Sequence, residues 1–230
     1  SVIGWIRRRR VRLSARRFIL ADLGLFAALL LAVKANASAA FDVSLTLRLQ
    51  AARSRWLGGL LHAVSWPGFP PQSRIIPVVV IGLWWAAGRP LAAALQLAGW
   101  GTALLSTAVK AVVRRPRPMP PQVQVVVAPL GGTSFPSGHV LTYVGFYGTL
   151  AYLLAVELHN EAARTGAVTF LVGLVALVGP SRIQQGHHWP TDVLASYLLG
   201  SAYLFALMEV HERIADAHDP SRLLRPVRRA

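Results

Sequence analysis

Six apolar runs near the length needed to cross a membrane divide this 230-residue chain, at 18–35, 73–88, 91–113, 139–157, 164–180 and 190–210. A helix needs ~20 predominantly apolar residues to cross about 30 Å of hydrocarbon, and the run at 73–88 is the shortest of the set. The runs are continuous rather than alternating, and backbone groups in lipid must pair within their own segment, so helices are the expected form. Gly88-Arg89-Pro90 separates the second run from the third, and Pro190 stands where it can open the sixth. With 54% hydrophobic and only 14% charged residues, the chain has too little polar surface for a soluble domain of this size. The sequence therefore predicts an all-α fold, a bundle of six transmembrane helices in one membrane domain at 18–210, between basic tails at 1–17 and 211–230.

Between the first and second runs, the segment 41–71 mixes Leu45, Leu47, Leu49, Trp56, Leu57, Leu60 and Leu61 with Arg48, Arg53 and Arg55, then ends at Trp66-Pro67-Gly68-Phe69-Pro70-Pro71. This pattern fits an amphipathic helix lying in the membrane interface better than a seventh span. The formal charge of +15 is concentrated in the tails, with Arg7, Arg8, Arg9, Arg10, Arg12, Arg16 and Arg17 at one end and Arg213, Arg222, Arg225, Arg228 and Arg229 at the other. An even number of spans puts both tails on one side, which the positive-inside rule makes cytoplasmic. Two short tails without a binding motif argue against nucleic acid as a partner. Ala35-Asn36-Ala37 superficially completes a signal-peptide pattern, but the apolar stretch before it is long and carries Asp22, so it is expected to remain as the first span. Asn36-Ala37-Ser38 is formally a glycosylation sequon, meaningful only in a secretory-pathway host.

Three short polar stretches interrupt this apolar background. The first is Lys110, six residues, then Arg117-Pro118; the second is Pro136-Ser137-Gly138-His139; the third is Ser181-Arg182, five residues, His188, three residues, Asp192. The first and second bracket the loop between the third and fourth runs, and the third falls between the fifth and sixth. Those two loops lie on the same face of a six-span bundle, here the extracytoplasmic one, so all three stretches can converge. Lys110, Arg117 and Arg182 suit phosphate, whose transfer spreads negative charge over equatorial oxygens. Arginine engages two phosphate oxygens at once, whereas lysine acts as a point charge. Of 24 basic residues only Lys34 and Lys110 are lysine, which makes a lysine at this spacing unlikely to be compositional noise. Ser137 offers a hydroxyl, and Gly138 lets a backbone amide approach an anion at a helix start. His188 and Asp192, four apart at a helix start, share a face, so the carboxylate can hold one ring nitrogen protonated while the other attacks phosphorus.

The three stretches match the signature of the type 2 phosphatidic acid phosphatase superfamily at every specified position, and the chain resembles that family over about residues 75 to 210. Phe135 before the second stretch, and Gly186, Pro190 and Asp192-Val193-Leu194 around the third, are similar too. The resemblance implies a metal-independent phosphatase without cofactor, in which His188 is the nucleophile that forms a phosphohistidine. It makes His139 the acid that protonates the leaving oxygen and then the base that activates water. Lys110, Arg117, Ser137, Gly138 and Arg182 would bind the phosphate. Members act on phosphatidic acid, phosphatidylglycerol phosphate, polyprenyl diphosphates or sugar phosphates, and some transfer the phosphate-bearing group. Motifs at helix ends place phosphorus at headgroup depth, which favours a lipid phosphate in a bilayer. The family's soluble, vanadate-binding relatives fit poorly with six apolar runs.

Taken singly, each stretch has a plainer reading. Arg114, Arg115 and Arg117 alone suit a basic cluster meeting lipid headgroups, Pro136-Ser137-Gly138-His139 a helix cap, and His188 with Asp192 a helix-start contact. Arg114, Arg115 and Gln185 could also line the pocket, while the aspartate spacing leaves His187 a bystander. Asp22 and Glu209 inside apolar runs suit interhelical pairing better than catalysis. Zero cysteines exclude disulfides and a cysteine nucleophile. A six-helix transporter with a cationic mouth is the rival class, but it needs a polar path at mid-depth, which the runs lack. The sequence assigns no oligomeric state.

Overall fold

The computed structural model describes residues 2–52, 54–126 and 131–218, with side chains from residue 15 to residue 217. Much of both basic tails therefore lies outside the described side chains. All regular structure among the described residues is helical. The order is α1 (Val2–Lys34), α2 (Ala39–Ala51), α3 (Arg55–Ser65), a 3-10 turn (Trp66–Gly68), α4 (Gln72–Ala86), α5 (Pro90–Trp100), α6 (Thr102–Val113), α7 (Gly138–Thr142), a π turn (Tyr143–Tyr147), α8 (Gly148–Glu157), α9 (Glu161–Gln184) and α10 (Pro190–His218).

Among the described residues, four stretches are long and apolar enough to cross a membrane: Pro90–Val113, Gly138–Glu157, Glu161–Gln184 and Pro190–Ala217. The pair Ala15–Lys34 and Ala39–Ala51 passes the same test together but is bent by 99°, and Gln72–Ala86 is a shorter apolar helix. The bend follows α1 at Asn36, whose φ of 55° is left-handed, a conformation that asparagine tolerates better than most residues. The segment 41–71 forms two helices and a turn rather than one helix.

The outer surface is apolar, and the interior mixes a hydrophobic core with polar residues. Leu20, Leu25, Leu31, Leu83, Trp85, Leu104 and Phe170 are exposed on the outer surface, while Gln96, Thr102, Thr149 and Ser196 are buried. In lipid there is no hydrophobic gain from burying leucine against a neighbouring helix, so association rests on close packing and polar pairs. Gln96 donates to Phe146 O (2.8 Å), a carbonyl within the π turn, and Tyr203 donates to Ala98 O (2.8 Å) beside the α5–α6 break. Ser201 donates to Asp22 (2.7 Å), clipping α10 to α1, and Arg16 and Arg213 both engage Glu209. Asp22 and Glu209 are thus interhelical partners.

Pro180 inside α9 cannot donate to Ala176 O. Tyr197 of α10 inserts its hydroxyl there: it accepts from Gly179 N (3.0 Å) and donates to Val175 O (2.7 Å), with Ala176 O at 3.0 Å. This satisfies the interrupted ladder and ties the last turn of α9 to α10.

The π turn closely approaches the end of α5 and the start of α6. A Cβ on Gly145 would lie 2.4 Å from the Thr102 side chain and 2.6 Å from Gly99 O, closer than atoms can approach. Gly145→Ala is therefore expected to lower stability by about 1–3 kcal/mol, read as a lower midpoint of thermal unfolding in detergent.

Candidate active site

The ends of α6, α7, α9 and α10 meet at one end of the bundle, and they bring the three polar stretches together. Lys110 ends α6 and donates to Thr133 O (2.8 Å). Beyond it Arg114 closes the helix with a left-handed φ of 50° and turns outward to Ala111 O, so it is exposed and does not line the site. Arg117 reaches back, donating through Nε to Gly131 O (3.1 Å) and through Nη1 to His187 O (2.8 Å), with Nη1 3.3 Å from His188 Nε2. Burial holds the Arg117 guanidinium below its usual range, with the negative charge of Asp192 opposing that shift.

Arg182 in the last turn of α9 is fully buried and held from several sides. Its Nη1 donates to Gln185 Oε1 (2.8 Å), its Nη2 lies 2.5 Å from His187 Nδ1, and its guanidinium sits 5.1 Å from the Phe69 ring centroid. His187, expected to be a bystander, therefore holds a phosphate-binding candidate, as does Gln185. The chain passes from α9 to these histidines through Gly186 at φ +72°, where a Cβ would stand 2.0 Å from Gln124 O.

His188 is buried. Its Nδ1 lies 2.8 Å from Ser134 O, and because a carbonyl can only accept, Nδ1 carries the proton and Nε2 the lone pair. Asp192 Oδ2 is 3.8 Å from Nδ1, beyond hydrogen-bond distance. Spacing alone pointed to Asp192 as the orienting partner, whereas here a backbone carbonyl makes the contact. The Asp192 carboxylate instead accepts from Trp189 N (2.8 Å) and pairs with Arg115 Nη1 (2.6 Å). The imidazole is pushed well below the ordinary histidine range by burial first, then by the positive charges of Arg182, Arg117 and Lys110. The same three cations all oppose protonation of this ring.

His139, in the first turn of α7, meets Phe69 edge-on with ring centroids 4.8 Å apart. A Cβ on Gly68 would lie 2.3 Å from His139 Cδ2, so the Gly68-Phe69 segment fixes one side of that ring. Among the described residues, His139 Nε2, Ser137 Oγ and Arg182 Nε are buried without a hydrogen-bond partner. Beside them a cavity of about 710 Å³ runs between α4 and α6, lined by Leu97, Trp100, Leu104 and Phe146, with Lys110, His139 and Arg74 also on its walls.

Sequence reasoning missed Ser134, Gly68, Phe69 and Asp42. Ser134 acts through its carbonyl, which no side-chain pattern reports. The others lie in the 41–71 segment, whose amphipathic character gave no chemical signal.

Helices gathered around a polycationic, histidine-bearing pocket at one end define an integral membrane protein built for an anionic ligand. Residues 87–216 match the PAP2 superfamily, and the chain belongs to that family. It is 29% identical over 197 residues to phosphatidylglycerophosphatase B of Bacillus subtilis (strain 168), covering 82% of this chain and 92% of that protein. Lipid phosphate phosphatase delta of Arabidopsis thaliana is 26% identical over 186 residues, 76% of this chain and 43% of that protein. Among solved structures, a transmembrane PAP2 type phosphatidylglycerolphosphate phosphatase from Bacillus subtilis superposes with a TM-score of 0.75, over 85% of this chain and 96% of that one, at 24% identity. Aquifex aeolicus LpxE superposes at 0.55, over 74% and 95%, at 20% identity. These two likenesses support the fold.

Gly186→Ala would place a side chain in a left-handed conformation and against a backbone oxygen. A loss of roughly 2 kcal/mol or more is expected, measured as a lowered unfolding midpoint in detergent.

Proposed function

We propose that this protein is a membrane lipid phosphate phosphatase that hydrolyses phosphomonoester or diphosphate headgroups through a phosphohistidine on His188. The observation that carries the reading is the placement of His188, with Nδ1 2.8 Å from Ser134 O and Nε2 3.3 Å from Arg117 Nη1, among three cations that disfavour its protonated form. Nε2 attacks phosphorus, forming a P–N bond as the P–O bond to the leaving group breaks. His139, protonated when the bound phosphate's negative charge offsets the neighbouring cations, gives its proton to the departing oxygen. It then takes a proton from water, which attacks the phosphohistidine and releases inorganic phosphate and free His188.

Lys110, Arg117 and Arg182, with Ser137 Oγ and the amide of Gly138, are assigned the equatorial oxygens, where fixed donors act on developing charge. The partnerless Ser137 Oγ, Arg182 Nε and His139 Nε2 support this assignment. No metal takes part in this reading: cations already occupy the place where a metal ion would stabilise charge, and they would repel one.

A lipid substrate fits the cavity beside Lys110 and His139, whose apolar walls suit acyl or prenyl chains. The names of the relatives make phosphatidylglycerol phosphate the first substrate to assay, with phosphatidic acid and polyprenyl diphosphate beside it. In this reading α1, α4, α5–α6, α7–α8, α9 and α10 are six spans. The α2–α3 segment, with Phe41, Leu47 and Trp56 exposed, lies in the interface. Both termini are cytoplasmic by the positive-inside rule, and the site faces the other side.

Phosphate release from these lipids in liposomes containing EDTA tests the proposal. His188→Ala is expected to reduce release by more than ~10³-fold while intact protein remains active. Undiminished release by folded His188→Ala would overturn the nucleophile, and loss of all activity in EDTA would overturn the metal-free mechanism. A pH series gives a second check. The Arg117 charge lowers the His188 pKa, so Arg117→Gln raises it and His188 is protonated, and unable to attack, at higher pH. The acid limb of the residual kcat/KM profile is expected to move to higher pH in that variant.

A further inference from the structure

Asp42 lies in α2, outside the stretch matched to the family, yet its carboxylate is among the most buried in the protein at 1% exposure. Its Oδ2 pairs with Arg115 Nη2 (2.6 Å) and accepts from Thr191 Oγ1 (2.8 Å), while its Oδ1 accepts from Thr191 N (2.9 Å). The other nitrogen of the same guanidinium, Arg115 Nη1, pairs with Asp192 Oδ1 (2.6 Å) and donates to Thr191 Oγ1 (2.8 Å). Asp192 in turn stands 3.8 Å from His188 Nδ1. One guanidinium thus bridges two buried carboxylates, one of them beside the ring.

The charge of this arrangement matters more than its strength. Two carboxylates and one guanidinium carry a net charge of about −1 when ionised. They sit behind His188, whose other charged neighbours are the cations Lys110, Arg117 and Arg182, with His139 and His187 as the nearby imidazoles. A ring phosphorylated at Nε2 and still protonated at Nδ1 is an imidazolium and carries a positive charge. Front-side cations oppose that charge, and a neutral Arg115–Asp192 pair would do little to offset them.

We propose that Asp42 is a positioning residue of the reaction. By sharing Arg115 with Asp192 it fixes the Asp192 carboxylate in register behind His188 and leaves a net negative charge there to stabilise the imidazolium of the phosphoenzyme. This rests on His188 being the nucleophile. It gives the α2 segment a catalytic purpose that its amphipathic sequence does not reveal.

Asp42→Asn, Asp42→Glu and Arg115→Lys in the full-length chain, in detergent and with the best lipid phosphate, test the idea through kcat, KM, pH profile and thermal unfolding. Asp42→Asn removes a negative charge. That lowers the His188 pKa, so the acid limb of kcat/KM moves to lower pH, while kcat falls by about tenfold or more with little change in KM. Asp42→Glu restores part of kcat and returns the acid limb toward its original position. Arg115→Lys keeps the net charge but cannot hold both carboxylates in fork geometry, so kcat falls and the acid limb stays in place. Folded Asp42→Asn with unaltered kcat and acid limb sinks the inference, as does a lower unfolding midpoint with no other change. If Asp42→Asn does not accumulate in folded form, Arg115→Lys decides, since an unchanged kcat there is equally fatal. His188→Ala run in parallel separates the two readings. Its activity overturns the mechanism, whereas an inactive His188→Ala beside a fully active Asp42→Asn overturns only the role of Asp42.

Discussion

Lys110, Arg117 and Arg182 repel one another where they converge on His188, and much of the surrounding architecture answers that repulsion. Each cation is tethered by acceptors the fold places around it. Thr133 O holds Lys110, Gly131 O and His187 O hold Arg117, and Gln185 and His187 hold Arg182. Most of these are backbone carbonyls or neutral side chains. They orient the cations without neutralising them, which leaves the positive potential available to an anion. Carboxylates in those positions would have formed closed ion pairs and weakened the site. The nearby carboxylates, Asp42 and Asp192, are held by Arg115 instead.

That arrangement needs helix ends that do not drift, and the apolar surroundings supply no hydrophobic force to hold helices together. Rigidity comes from close backbone contact and inserted polar groups. Gly99 and Gly145 let α5 and the π turn touch, Gln96 satisfies a carbonyl within that turn, and Tyr197 repairs the ladder broken at Pro180. The last is near the site: it couples the end of α9, which carries Arg182, to α10, which carries Asp192. Phe69 adds a further constraint by contacting both Arg182 and His139, so a segment remote in sequence sets the distance between a cation and a candidate acid.

Membrane chains write their helices plainly because lipid permits few alternatives to continuous apolar runs, and helices occupy all six runs read from the sequence. The three polar stretches were legible for a related reason, since charged residues are costly there and stand out. Their side-chain geometry was less legible. The four-residue interval pointed to Asp192 as the partner of one His188 ring nitrogen, but Ser134 O lies closer to Nδ1. Arg114 and Arg115 are adjacent and chemically alike, yet one caps a helix and faces outward while the other bridges two carboxylates. His187 differs from His188 by one position and is bonded to Arg182 rather than surrounded by cations.

The sequence by itself determined the all-helical class, the family, and which residue types gather at one end of the bundle, because hydropathy and motif spacing are local properties that lipid makes stringent. Only the tertiary structure decided which acceptor orients His188, how Gly68 and Phe69 fix His139, and that Asp42 reaches the site. These depend on contacts between segments up to 149 residues apart, as in the Asp42–Thr191 pair, and on backbone carbonyls that every residue carries and no sequence pattern distinguishes.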